Sequence, residues 1–171
     1  GYSPNSEIGR LPLETCLTMN KTWGYDINDK SYKSNTYLIQ KLVQAAGKNA
    51  NLLLNIGPRP DGQLPVEALT RLKAMGEWLA KNGETVYGTR GGIVAPHDWG
   101  VSTQKGNTLY IHILKWKDRG LFLPITDRKV VKAQMFEGKQ PVTVTRTKTG
   151  VMLELPAVPS GVDTIVELTL K

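Results

Sequence analysis

The side chains that could do acid–base chemistry in this sequence are carboxyl groups near its N-terminus. Glu7, Glu14, Asp26 and Asp29 fall within a short stretch, and positioned carboxyl groups serve as general acids and bases. Thiol and imidazole groups are scarce, because the chain has one cysteine, Cys16, and 2 histidines. An internal disulfide framework and an all-cysteine metal site are therefore excluded, and a zinc cluster of histidine and cysteine is disfavoured. The sequence predicts no metal site.

The charge of the chain is basic but dispersed. The net charge is +7, with Lys+Arg 22 against Asp+Glu 15, and no block of five like charges occurs. Basic nucleic-acid binders usually concentrate their charge on one element. A solvated basic surface is therefore favoured over a module that binds nucleic acid or an acidic polymer, and we expect no nucleic-acid partner. The apolar runs are too short for a transmembrane helix, so no membrane span is expected.

The elements that must position the carboxyl groups follow an α/β pattern in the first half of the chain. Residues 11–19 and 50–56 read as strands, the second as a buried parallel strand covered on both faces. Residues 34–47 read as a helix that Ser34 or Asn35 caps and Gly47 ends. A second helix begins near Pro65 and ends at residues 82–83. Its predicted apolar stripe consists of Leu69, Leu72, Gly76 and Leu79.

After residue 91 the helical period gives way to short strands between turn signals. Seven strands at this spacing predict an antiparallel β-sandwich. The expected strands are residues 100–103, 109–116, 121–125, 130–136, 142–146, 151–155 and 164–170. The first half is incomplete by contrast, since two parallel strands are too few for an independently stable layer. Residues 1–90 therefore predict the end of a larger α/β domain, and residues 91–171 a β-sandwich domain.

Three linked motifs resemble a known family. They are LETCLTMNKTWGY at residues 13–25, NLLLNIGPRPDGQLP at residues 51–65 and GEWLAKNGETVYGTR at residues 76–90. In this order and spacing they resemble the C-terminal half of the α-L-fucosidases of glycoside hydrolase family 29, although Leu13 stands where the family usually has Trp. The resemblance implies the last strand–helix units of a (β/α)₈-like barrel followed by an antiparallel β-sandwich.

The resemblance also implies a chemistry. A retaining exo-glycosidase of this family hydrolyses terminal α-L-fucosyl linkages of glycans and needs two carboxyl groups about 5–5.5 Å apart. No metal or organic cofactor is implied, because the two carboxyl groups supply the chemistry. The family's nucleophilic Asp lies on an earlier barrel strand, outside this sequence. The isolated chain is therefore expected to be inactive, and its partner is the N-terminal barrel portion of the same enzyme. Enzymes that degrade such glycans are usually exported, to the periplasm, the medium or the lysosome.

Two glutamates compete for the role of general acid/base. Function in a barrel sits at the carboxyl ends of the strands, whereas Glu14 falls early or midway in the first predicted strand. Glu7 falls in the loop that arrives from the functional face, and seven extended residues span up to roughly 23–25 Å. We therefore favour Glu7 and keep Glu14 as second candidate. Trp23, just beyond the strand, is the expected substrate-binding residue, because the C5-methyl corner of fucose needs an apolar wall.

Two other functions remain open at this point. The chain could be a non-catalytic piece, either a fold-completing chain or a carbohydrate-binding β-sandwich. His97, Trp99 and Trp116 in or near the sandwich could contact sugar, although packing between domains is the favoured role for them. Asn55 and Asp61 are expected to fix the turn at residues 57–62 and not to touch substrate.

Overall fold

The computed structural model describes residue 11 and residues 13–171. Its first half contains two parallel strands that alternate with two helices, as the sequence predicts. The two strands pair over their whole length, from Leu13 opposite Ala50 to Thr18 opposite Asn55. The elements are β1 (Leu13–Thr18), α1 (Asn35–Gly47), β2 (Ala50–Asn55) and α2 (Val66–Asn82), followed by a short 3₁₀ helix at Gly83–Thr85.

Helix α1 begins as its sequence predicts and ends differently. The Ser34 side chain accepts a hydrogen bond from the Tyr37 N–H at 3.1 Å, which confirms the predicted N-cap. Gly47 is the last helical residue and does not take the left-handed conformation that ends many helices. Asn49 takes it instead, with φ at 63°. Gly47 is needed for another reason, because a Cβ there would lie 2.5 Å from the side chain of Val101.

The buried face of α2 is not the predicted stripe. Leu69, Leu72 and Gly76 are exposed, and Ala68 and Met75 are buried in their place. Ala68 and Met75 lie seven residues apart and therefore share one face of the helix. They pack into a small core; the other buried members of that core are Met19, Leu38 and Ile39. The predicted apolar stripe of α2 was therefore wrong.

The second half is an antiparallel β-sandwich, and the seven predicted strands are confirmed. A five-stranded sheet has the order β3-β4-β5-β10-β7, and a three-stranded sheet has the order β6-β9-β8. The inner faces of both sheets share one hydrophobic core, which includes Ile111, Leu121, Leu153 and Val166. The strands are β3 (Arg90–Gly91), β4 (Gly100–Lys105), β5 (Thr108–Ile113), β6 (Gly120–Leu123), β7 (Val130–Met135), β8 (Thr143–Arg146), β9 (Val151–Glu154) and β10 (Thr164–Leu170).

The outer face of the five-stranded sheet holds the first half of the chain through polar contacts. The Tyr110 hydroxyl donates to Glu84 Oε1 at 3.0 Å, and this bond together with burial raises the pKa of Tyr110. The Thr103 hydroxyl donates to the Thr85 carbonyl at 2.6 Å. The two halves of the chain are thus joined by one buried and one partly buried hydrogen bond, as well as by the close approach of α1 to β4. Within the described residues, no helix is both long and apolar enough to cross a membrane.

Candidate active site at the carboxyl ends of the parallel strands

The loops that follow β1 and β2 lie against each other at the carboxyl edge of the two-stranded sheet. The Met19 N–H donates to the Asn55 carbonyl at 3.0 Å, which continues the strand pairing into the loops. Beyond it, the backbone of Gly57 packs directly on the backbone of Gly24 and Tyr25, because a Cβ at Gly57 would lie 2.5 Å from both. Any side chain at position 57 would push the two loops apart. The requirement for glycine here is therefore steric.

Lys33 fastens the loop after β1 to the end of that strand. Its ammonium group donates to the carbonyls of Thr18 at 2.6 Å and Asn20 at 2.7 Å. Arg71 on α2 in turn donates to the Lys33 carbonyl at 2.6 Å. These bonds close the loop at both ends, so residues 19–33 form a fixed platform. Sequence analysis missed Lys33, because nothing in its neighbourhood distinguishes it from a solvated surface lysine.

The two aspartates of this loop hold backbone turns. Asp29 accepts hydrogen bonds from the N–H groups of Ser31 at 2.9 Å and Lys21 at 2.8 Å. The bond from Ser31 is the main reason that the pKa of Asp29 is lowered from its ordinary value. Asp26 accepts from the Asn28 N–H at 2.8 Å. Both carboxylates therefore have structural roles in the described structure.

Trp23 projects from this platform. Its side chain is 57% exposed, just beyond the carboxyl end of β1. The Thr22 hydroxyl donates to the Gly24 carbonyl at 2.9 Å and tightens the turn that carries the indole ring. An exposed indole on a rigid loop can cover the apolar face of a ligand with little loss of conformational entropy.

The loop after β2 behaves in part as expected. Asp61 accepts from the Gln63 N–H at 3.1 Å and pairs with Arg59 at 3.1 Å, so it does fix the turn. The Asn55 side chain does not share that role through its oxygen, because Oδ1 is buried with no hydrogen-bond partner among the described residues. A buried amide oxygen without a partner is costly in a folded protein. Asn55 stands next to Thr18 in the strand register, at the same edge as Trp23.

The structure places Glu14, the second candidate acid/base, away from the edge of the sheet that carries Trp23. Glu14 is the second residue of β1 and is exposed, with the Cys16 thiol 3.9 Å from its Oε1. β1 ends at Thr18, the fourth residue after Glu14, a distance of about 13 Å along the strand. Glu7 lies outside the described residues. Within those residues, no group of three histidine, cysteine, aspartate or glutamate side chains is placed to hold a metal ion.

One face of the parallel sheet is exposed in the part of the chain that the structure describes. Leu17 and Leu54 point towards the helices and pack into the small core. Glu14, Cys16 and Leu53 alternate with them and point away from the helices; all three are exposed. Leu53 in particular is 41% exposed although it lies in the middle of β2. The prediction that β2 is covered on both faces is therefore wrong within the described residues.

Comparison with known proteins relates the chain to one family. A sequence model described as Alpha-L-fucosidase matches residues 2–84. The plasma α-L-fucosidase of Rattus norvegicus is 36% identical over 157 residues, which cover 84% of this chain and 34% of the relative. The chain is homologous to a C-terminal portion of the α-L-fucosidases. It spans about a third of the length of the curated fucosidases that it matches. The plasma α-L-fucosidase of Homo sapiens is 34% identical over 155 residues, which cover 84% of this chain and 33% of the relative.

Solved fucosidase structures share the fold of this chain. The α-L-fucosidase isoenzyme 1 from Paenibacillus thiaminolyticus superposes with a TM-score of 0.85 at 31% identity, over 99% of this chain and 43% of that chain. A GH29 α-L-fucosidase from Bacteroides thetaiotaomicron superposes with a TM-score of 0.89 at 22% identity, over 99% of this chain and 41% of that chain. The second likeness concerns the fold alone. Both match the mostly β-stranded architecture described above.

Proposed function

We propose that this chain is the C-terminal part of a retaining exo-glycosidase that hydrolyses terminal α-L-fucosyl linkages of glycans. The observation that carries the proposal is the likeness to the Paenibacillus fucosidase, which extends over 99% of the chain at 31% identity. It includes the platform with Trp23 as well as the sandwich. The nucleophilic aspartate lies outside this sequence, so the isolated chain has no hydrolytic activity. We place the complete enzyme among exported proteins, as the plasma relatives suggest.

The two parallel strands are, in this proposal, the last strands of a (β/α)₈-like barrel. The exposed face with Glu14, Cys16 and Leu53 supports this, because the interior of a barrel is filled by side chains from all of its strands. The N-terminal portion of the same enzyme is the partner that covers this face. We place the boundary between the barrel domain and the sandwich domain between residues 90 and 91, inside the short strand β3.

The chemistry requires two carboxyl groups on opposite sides of the scissile bond. One attacks the anomeric carbon and forms a glycosyl-enzyme ester, while the other protonates the leaving oxygen and later removes a proton from water. The Bacteroides protein was trapped as a covalent intermediate with 2-fluoro-fucosyl fluoride using a glutamate-to-glutamine mutant. A glutamate as the second carboxyl group in the present enzyme is consistent with that result.

We assign the general acid/base to Glu7 and keep Glu14 as the alternative. The position of Glu14 near the start of β1 supports this order, because about 13 Å of strand separate it from the carboxyl edge. Trp23 at that edge supplies the apolar wall for the C5-methyl group of fucose. Burial of a methyl corner against an indole stabilises the complex by about 1–2 kcal/mol.

Leaving-group dependence in the complete enzyme tests the assignment. Glu7→Ala is expected to lose about 10²–10⁴-fold in kcat/KM on a fucosyl-oligosaccharide. The loss on a dinitrophenyl fucoside should be much smaller, because an activated phenolate leaves without protonation. Azide should restore the rate of the Glu7→Ala variant by entering the vacated space.

The matched control is Glu14→Gln, which should affect both substrates alike. If Glu14 variants show the leaving-group dependence and azide rescue while Glu7 variants show neither, the two assignments are reversed. If both variants retain full activity on both substrates, neither glutamate is the acid/base.

A further inference from the structure

We propose that the β-sandwich carries a binding site for a neutral saccharide, formed by Trp99 and Trp116. The two tryptophans line one cavity of about 580 Å³, together with Asp98, Lys115, Lys117 and Asp118. The proposal does not depend on the catalytic role assigned above, since the cavity is built by the sandwich strands and their loops.

The two indole rings have different roles in the cavity. Trp99 is 5% exposed and belongs to the sandwich core, so it closes the cavity on the core side. It also stacks on the His97 ring, with 5.5 Å between ring centroids. Trp116 is 36% exposed and provides an accessible ring. A pyranose has an apolar face of C–H groups that packs well against such a ring, whereas its rim is polar.

The cavity is preorganised by hydrogen bonds within the loop between β5 and β6. The Trp116 indole N–H donates to the Gly120 carbonyl at 3.0 Å, which fixes the orientation of the ring. Asp118 accepts from the Gly120 N–H at 2.9 Å. The Trp99 carbonyl accepts from the N–H of Lys115 at 3.0 Å, which holds the two loops together. A rigid site loses less conformational entropy when a ligand binds.

The charged groups around the rings indicate the chemical class of the ligand. Two lysines and two aspartates line the cavity, so its formal charge is zero. The side chains of Asp98, Lys115 and Lys117 have no hydrogen-bond or ion-pair partner in the part of the chain that the structure describes. Carboxylates accept from sugar hydroxyls and ammonium groups donate to them. Sulfated glycans and nucleic acids are disfavoured, because a lining with no net charge gives their anions no net attraction.

The size of the ligand follows from the cavity. A volume of about 580 Å³ accommodates one or two pyranose rings. For one pyranose ring of about 12 non-hydrogen atoms, at about 0.3 kcal/mol per atom, we expect a dissociation constant of about 2 mM.

The test is a ¹H–¹⁵N NMR titration of the 171-residue chain with lactose and with methyl α-L-fucoside. The four tryptophan indole N–H signals are assigned from single Trp→Phe variants. We expect the Trp116 and Trp99 signals to shift with saturation. A shift of the Trp23 signal instead reports the loop assigned to fucose, so the two proposals are read from different signals.

Three variants make the titration specific. Trp116→Ala should weaken binding at least about tenfold, which corresponds to 1.4 kcal/mol. Asp98→Asn, an exposed change that leaves the fold intact, should weaken it about threefold or more. Phe122→Ala removes a ring that is 40% exposed on β6 outside the cavity, and it should bind within twofold of the unchanged chain. Absence of any Trp116 shift at about 50 mM saccharide overturns the proposal. Unchanged affinity of the Trp116→Ala and Asp98→Asn variants also overturns the proposal. Binding of a sulfated saccharide only would overturn it as well.

Discussion

Removal of the Asp163 carboxylate is expected to destabilise the chain more than any surface substitution. Asp163 Oδ2 lies 2.7 Å from His112 Nδ1, and both side chains are wholly buried. On the other side of the ring, His112 Nε2 lies 3.1 Å from the Thr103 hydroxyl. This chain of side chains connects strands β4 and β5 with the segment before β10.

Counting donors places a proton between His112 and Asp163. The single hydroxyl proton of Thr103 is donated to the Thr85 carbonyl, so His112 Nε2 must donate to Thr103. Nδ1 then contacts Asp163 at 2.7 Å, which requires a second proton at that contact. The carboxyl group of Asp163 thus holds the His112 ring through a wholly buried contact at Nδ1. Its other oxygen, Asp163 Oδ1, is buried without a partner among the described residues and reduces the net stabilisation.

Asp163→Ala leaves His112 Nδ1 buried without its hydrogen-bond partner. Breaking a buried pair by removal of one partner costs about 3–5 kcal/mol of unfolding free energy. Asp163→Asn should cost less, about 1–3 kcal/mol, because its amide oxygen still accepts a hydrogen bond. Urea unfolding of the 171-residue chain, followed by circular dichroism, measures these differences.

The matched control is Asp127→Ala. Asp127 is exposed, and its one side-chain hydrogen bond within the described structure comes from the neighbouring Thr126 hydroxyl. This variant should change stability by less than about 0.5 kcal/mol. A loss below about 1 kcal/mol for Asp163→Ala would refute this reasoning, because a buried polar group left without a partner costs at least that much.

Two further predictions concern packing and pH. Gly47→Ala should cost about 1–3 kcal/mol of unfolding free energy, because its Cβ would lie 2.5 Å from Val101. Gly76→Ala, in open space on α2, should instead stabilise by about 0.5–1 kcal/mol in the same urea experiment. Burial alone raises the pKa of Glu167, but hydrogen bonds from Lys139 and Gln134 outweigh it and hold the pKa below its ordinary value of 4.5. The stability lost in Glu167→Gln should therefore be constant above about pH 5 and vanish as the pH falls through the folded pKa; a loss that grows on acidification would contradict this.

The repeating patterns in the sequence predicted most of the backbone. The alternation in residues 151–155 predicted β9 correctly, since a period of two leaves one face buried and the other wet. β3, at Arg90–Gly91, is too short to leave such a pattern. The apolar stripe on α2 was misplaced because the leucines of this helix do not face the small core of the first half. Here Ala68 and Met75 face it.

Side-chain partners were beyond sequence reasoning for a different reason. The ammonium group of Lys33 meets acceptors up to 15 residues away, and His112 meets Asp163 51 residues away. Such pairs are set by strand order and register, which the pattern of one strand does not contain. The turn roles of Asp26 and Asp29 follow from nearby residues and are of the local type that a sequence can suggest.

The central claim is that this chain completes a retaining α-L-fucosidase and has no activity alone. Time-resolved ¹H NMR of aryl α-L-fucoside hydrolysis tests it most directly, with the isolated 171-residue chain and with the complete enzyme that includes the residues before Gly1. We expect that only the complete enzyme hydrolyses the substrate and that the isolated chain does not. The first product should be α-L-fucose, before mutarotation. Turnover by the isolated chain, β-L-fucose as the first product, or no hydrolysis by the complete enzyme would contradict the account.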